Sequence, residues 1–100
     1  MPATVTLAES AVRDLEDIVA FDERQAVPQV GARLVGTILE RIESLGDFPD
    51  AGRVVPEFDT PALRELIEPP FRIVYRRERD RVRIVRVWRS ERLLTLPSRE

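Results

Sequence analysis

Apolar residues along this chain change their spacing three times, and each change predicts an element. Residues 3–7, "ATVTL", form a short β-prone run. In the next stretch, "AESAVRDLEDIVAFDER", Ala8, Ala11, Val12, Leu15, Ile18 and Val19 recur at steps of three and four. That spacing places them on one face of an amphipathic helix, with Glu9, Asp14, Glu16 and Asp17 on the other. "VPQVGARLVGTILERIESLG" repeats the pattern through Val30, Leu34, Ile38, Ile42 and Leu45. Pro28 suits the first turn of this second helix and Gly46 its end. Gly31 and Gly36 each weaken the helix in isolation. They mark an expected close approach of the two helices in an αα-hairpin.

Residues 47–61, "DFPDAGRVVPEFDTP", are rich in proline, glycine and aspartate and read as a loop. Its length points to function or to packing across one end of a sheet. Alternation then returns. "ALRELIEP" (62–69) reads as a strand, and Pro69 and Pro70 break the chain after it. "FRIVYRRE" places Phe71, Ile73 and Tyr75 on one face and Arg72, Val74 and Arg76 on the other. After the turn "RDR" the alternation slips. In "VRIVRVWR", Val82 and Ile84 share one face, Val85 and Val87 the opposite one. A central strand covered on both sides, or a β-bulge, accounts for the slip. Connections this short make the last three strands an antiparallel meander. The expected fold is α+β in the order β-α-α-β-β-β, a helical hairpin packed on a small antiparallel sheet. The sheet's other face stays partly open, with several arginines pointing toward it. A length of 100 residues fits one domain, 1–100.

Charge changes this picture more than composition does. Residues 1–50 carry ten acids and four arginines, net −6; residues 51–100 carry eight acids and twelve arginines, net +4. A chain that is net −2 is not a generic polyanion binder, so any nucleic-acid surface must be local. All sixteen basic residues are arginine, which grips phosphate or carboxylate with a bidentate fork. Cysteine and histidine are both absent. That leaves no disulfide framework and removes the commonest metal ligand and the side chain best suited to proton transfer near neutral pH. No metal and no cofactor is expected. The N-terminus lacks a basic segment followed by an apolar run, and no stretch is long enough to span a membrane, so a cytoplasmic, membrane-free protein is expected.

Nine arginines fall within the 26 residues from Pro69 to Leu94, in a hairpin patterned for burial. Their partner is nucleic-acid phosphate, an acidic protein, or solvent alone. Arg76, Arg77, Arg79, Arg81 and Arg83 flank the turn beside Glu78 and Asp80, where solvated or loosely paired arginines contribute little stability and blunt sheet edges. Arg72, Arg86 and Arg89 lie within the strands and near the sheet's end. For these a binding role and a structural ion pair both stay open, the acidic helices being able to supply the partners.

The helical hairpin, then "FPDAGRVVPEF", "LRELI", "PFRIVYR", a tight turn, "VRIVRVW" and "RSERLL" together resemble the RelE/ParE superfamily of type II toxin–antitoxin toxins. The resemblance covers nearly the whole chain and rests on order, spacing and length. It implies a compact α+β toxin whose growth inhibition is neutralised by a small cognate antitoxin of the ParD or RelB kind. The superfamily divides into two activities, so fold alone does not decide function. RelE-like members are mRNA interferases acting on the ribosome, and ParE-like members inhibit DNA gyrase.

Metal-free RNA cleavage needs a base, an acid and positive charge at the phosphate. By resemblance to the RelE-like pattern, Arg72 and Arg92 would clamp that phosphate, with Arg89 a neighbouring candidate. Glu57, Glu65 and Glu68 are conceivable bases, with Glu65 and Glu68 expected as solvated carboxylates. Lysine and histidine are absent, and Tyr75 lies on the apolar face, where core packing is its expected task. "GRVVPE", "LRELI" and the final "V-x-R-x-x-R" resemble the ParE-like branch more closely, although "RSER" stands where many members carry histidine-glycine-arginine. A gyrase poison is a binding module and needs no proton-transfer group. The favoured reading is therefore a ParE-like gyrase inhibitor. Its target- or antitoxin-binding surface is drawn from Arg64, Arg72, Arg76, Arg86, Trp88, Arg89 and Arg92, with Phe58 a further aromatic anchor. The alternative is a ribosome-dependent mRNA endonuclease using Arg72 and Arg92. A third reading is a degenerate member that acts only with its antitoxin.

Overall fold

A computed structural model describes residues 2–24 and 28–89, of which 22–24 and 28–30 are described in the backbone alone. The expected Val30 of the helical stripe and Arg92 lie outside the described side chains. The elements are β1 (Thr4–Leu7), α1 (Glu9–Arg24), α2 (Pro28–Ser44), β2 (Arg53–Val54), β3 (Leu63–Glu68), β4 (Phe71–Arg77) and β5 (Arg81–Arg89). The sheet order is β1-β5-β4-β3-β2. The α+β order expected from the pattern is the one the chain forms, and β3, β4 and β5 make the antiparallel meander. Two details are new. The loop contributes β2, two residues paired antiparallel to β3. β1 joins the far edge of β5 in parallel, with Val5 opposite Val82 and Leu7 opposite Ile84.

The sheet has a buried core on each side. Toward the helices, Ala11 and Leu15 of α1 and Ile38, Ile42 and Leu45 around α2 meet Leu66, Phe71, Ile73, Tyr75, Val82, Ile84 and Val87. Each large aliphatic side chain buried there contributes about 1.5–3 kcal/mol. Away from the helices, Val55, Leu63, Val74 and Val85 form a smaller cluster with Trp88 packed against it. Val12 departs from the expected stripe and is 42% exposed. Gly36 is not a close-packing point, since an added Cβ would meet nothing within 4 Å.

The slip in the last strand has both of its expected causes at once. β5 is central, between β1 and β4. It also carries a bulge: Val74 pairs with Arg86 but Tyr75 pairs with Ile84, leaving Val85 without an opposite residue. Val85 therefore joins the smaller cluster while Val87 returns to the helix side, which corrects the expectation that the two share a face. Where β1 ends, the start of α1 closes the remaining edge of β5. The Ala8 amide donates to the Ile84 carbonyl at 2.8 Å, and the Ser10 hydroxyl to the Val85 carbonyl at 2.6 Å. The Asp14 carboxylate accepts from the Val87 amide at 2.8 Å. Along this stretch of β5 the backbone groups that would invite another strand are bonded within the chain.

Candidate functional site

Pairing β3 with β4 places Ile67 opposite Arg72 and Glu65 opposite Val74, all on the sheet face away from the helices. Glu65 is therefore a diagonal neighbour of Arg72. The Arg72 Nε donates to Glu65 at 2.6 Å, and its two terminal nitrogens donate to both oxygens of Glu57 at 2.7 and 2.8 Å. Arg53 donates to the other Glu65 oxygen at 2.7 Å. Arg72 and Glu65 are buried, with residue exposures of 6% and 1%. The Arg72 hydrogen bonds hold the Glu57 carboxyl at about 2, well below its ordinary 4.5. The same bonds hold the Arg72 proton more firmly than usual. Glu65 was expected in solvent and is instead a buried partner. Its place in the hairpin register is the signal that identifies it, whereas Glu57, expected only as a conceivable base, arrives from the loop and no sequence signal pairs it with Arg72.

The loop itself is fastened by Tyr75. The fully buried Tyr75 hydroxyl donates to the Pro49 carbonyl and accepts from the Gly52 amide, each at 2.9 Å. Burial pushes the phenol's pKa up. A Cβ at Gly52 would lie 2.6 Å from the Glu65 carbonyl oxygen and 2.7 Å from the Tyr75 hydroxyl, so only glycine fits beneath the ring. The loop's length thus serves packing, one of its two expected uses, and carries Glu57 to Arg72.

Beside this cluster, the end of β5 and α1 enclose a groove of about 490 Å³ lined by Ile18, Phe21, Leu34, Phe71, Trp88 and Arg89, among others. Arg89 lies over the Phe71 and Phe21 rings at 5.4 and 5.8 Å. Arg86 forms a bidentate pair with Asp14 of α1, both bonds 2.8 Å, and stacks 4.2 Å from the Trp88 ring centre. The acidic helix does supply the partner for Arg86, as one of the two open readings has it.

The candidate residues thus divide. Arg72, Arg86, Trp88 and Arg89 gather at one end of the sheet, Arg72 opposite Trp88 and Phe71 opposite Arg89. Arg64 tethers the Gly52 carbonyl at 2.9 Å. Arg76 stands at the opposite end, paired with Arg83. Phe58 is 39% exposed beside Glu57. Among the described residues no three carboxylates converge where a metal could be held, and no helix is long and apolar enough to cross a membrane.

The sequence matches a known family model. Residues 5–94 match the model of the ParE toxin of type II toxin–antitoxin systems. The chain belongs to the ParE toxin family. Two solved structures share the fold of this ParE-family chain. The chromosomal ParDE toxin–antitoxin system from P. aeruginosa is 24% identical, with a TM-score of 0.75, over 89% of this chain and 97% of that one. The RelBE2 toxin–antitoxin complex from Mycobacterium tuberculosis is 22% identical, with a TM-score of 0.67, over 89% of this chain and 99% of that one. No curated protein matches the sequence significantly. The ParE-family chain is thus a RelE/ParE-superfamily toxin of the type II toxin–antitoxin class.

Proposed function

We propose that this toxin inhibits DNA gyrase as a binding module, acts in the cytoplasm, and is neutralised by a cognate antitoxin of the ParD or RelB kind. The observation that carries the reading is the enclosure of Arg72. A phosphate clamp needs an accessible guanidinium, and three nitrogens of this one are already bound to two carboxylates. An incoming phosphate would meet the exposed Glu57 carboxylate first and be repelled. The Tyr75 hydroxyl is spent on two backbone groups, and the chain has no lysine or histidine to move a proton. Gyrase inhibition requires none of these. The groove beside Trp88, Arg86 and Arg89 supplies residue types that dominate protein interfaces, and we assign it to target or antitoxin contact.

The test is expression without antitoxin in a sensitive bacterium, recording DNA-damage induction and mRNA integrity together, with a supercoiling assay on purified gyrase. Damage induction, intact mRNA and loss of supercoiling are expected. Rapid cleavage of translated mRNA, abolished by Arg72→Ala in a chain that still folds, would overturn the reading in favour of the endonuclease. An absence of toxicity would mark a member that acts only with its antitoxin.

A further inference from the structure

The strands β1, β4 and β5 contain seven arginines and no carboxylate. Among the described residues Glu57 and Glu65 pair with Arg72, Asp50 with Arg77, and Asp14 with Arg86. Arg89 sits over two aromatic rings. Arg76, Arg81 and Arg83 lie together. Arg83 is directly opposite Arg76 on one side and Thr6 on the other, and Arg81 is opposite Thr4. Residues opposite in register, or two apart along a strand, share a face. These five side chains therefore form one flat patch on the sheet face away from the helices. Thr4, Thr6 and Arg81 are exposed, and Arg76 and Arg83 half-buried. Among the described residues Arg81 and Arg83 form no ion pair, even with Glu78 and Asp80 of the adjacent turn. Like charges directly opposite each other destabilise a sheet. An anion laid across the row would reverse that effect.

We infer that this patch binds the phosphate backbone of duplex DNA. Arginine forks and threonine hydroxyls are the side chains that contact phosphate oxygens. Arg76 and Arg83 are one strand spacing apart, about 4.8 Å, and Arg81 is about 6.7 Å further along, a density of charge suited to successive phosphates rather than to one carboxylate. No aromatic side chain belongs to the patch, so there is no platform on which an unpaired base could stack. The patch presents a sheet surface and no helix that could enter a groove, so contact is with the backbone and independent of sequence. The inference does not need the gyrase reading, because DNA binding and gyrase inhibition are measured separately and either can fail alone.

The test is fluorescence anisotropy of the purified full chain on a labelled 20-bp DNA duplex between 50 and 200 mM NaCl. Two to three phosphate contacts give a slope of log affinity against log salt of about −2 to −3. Arg81→Ala/Arg83→Ala is expected to bring that slope close to −1 and to weaken binding at 50 mM at least about tenfold. Arg13→Ala, which removes an exposed α1 charge paired with Glu9, should leave the slope unchanged. A melting temperature within about 4 °C of the parent establishes that the double variant is folded. If it melts lower, Arg81→Gln/Arg83→Gln carries the same test with the side-chain stems kept. No binding of the parent at 50 mM, an unchanged slope in the folded variant, or an equal loss in Arg13→Ala would overturn the proposal. So would displacement by polyglutamate at equal charge concentration, which would make the patch an acidic-protein surface. Tighter binding of single-stranded than duplex DNA would overturn it as well.

Discussion

At one end of the sheet face away from the helices, Arg72 is buried between Glu65 and Glu57; at the other, Arg83 stands opposite Arg76 with no carboxylate on either strand. The residue type, the face and the sheet are the same. What differs is the company that the tertiary structure brings. The loop fastened by Tyr75 delivers Glu57 to the first end, and the register of β3 delivers Glu65. At the second end β1 delivers two threonines. Arginine in a strand is therefore not one signal. Enclosed by carboxylates it is part of the scaffold, and lined up with its own kind it makes the surface for which we infer a phosphate partner.

This contrast can be broken most decisively at Arg72. Arg72→Ala leaves Glu65 buried without its closest partner and should lower stability by about 3–5 kcal/mol, read by urea denaturation. A loss below about 1 kcal/mol would mean the enclosed arginine is not structural after all. Next comes Asp14→Ala, which frees the Arg86 fork and the Val87 amide together. A loss of about 2–3 kcal/mol is expected on the same measurement. Tyr75→Phe should cost about 1–2 kcal/mol, because the Gly52 amide and Pro49 carbonyl lose their shared hydroxyl. Faster proteolytic nicking of the 47–61 loop should accompany it.

Acid sharpens the same comparison. Glu57 is held near 2 in the folded chain against 4.5 ordinarily, so its contribution to stability is fully present above about 4.5. It is lost as the pH falls through about 2. Glu57→Gln should be less stable than the parent at neutral pH, and the gap should close between those two values in thermal melts at stepped pH. A gap that stays constant would detach Glu57 from Arg72. The smallest effect belongs to the other end of the sheet. Arg83→Ala should change stability by no more than about 0.5 kcal/mol, and in the stabilising direction, because it relieves the pairing with Arg76. A large loss there would show that the patch is scaffold like its counterpart.

Part of the site was legible in the sequence. The alternation in "FRIVYRRE" put Arg72 on the face opposite Phe71, Ile73 and Tyr75, whereas the register that sets Glu65 on that same face came only with the folded hairpin. The expectation that Glu65 is solvated failed because strand alternation says which face a residue occupies, not whether that face is covered. Asp14 was legible only as an acid on a helix's polar face. Its pairing with Arg86 spans 72 residues of chain, a separation no local pattern encodes.

What the amino-acid order determined alone is local. Helical spacing made α1 and α2, alternation made β3 to β5, and proline, glycine and short connections made the meander. These depend on contacts within a few residues, which any window of sequence contains. The tertiary structure decided which arginines are enclosed and which are left side by side. Burial, and the carboxylate that makes it tolerable, come from elements distant in the chain. A charge in a strand acquires its role only when the sheet is assembled and the loop is laid across it.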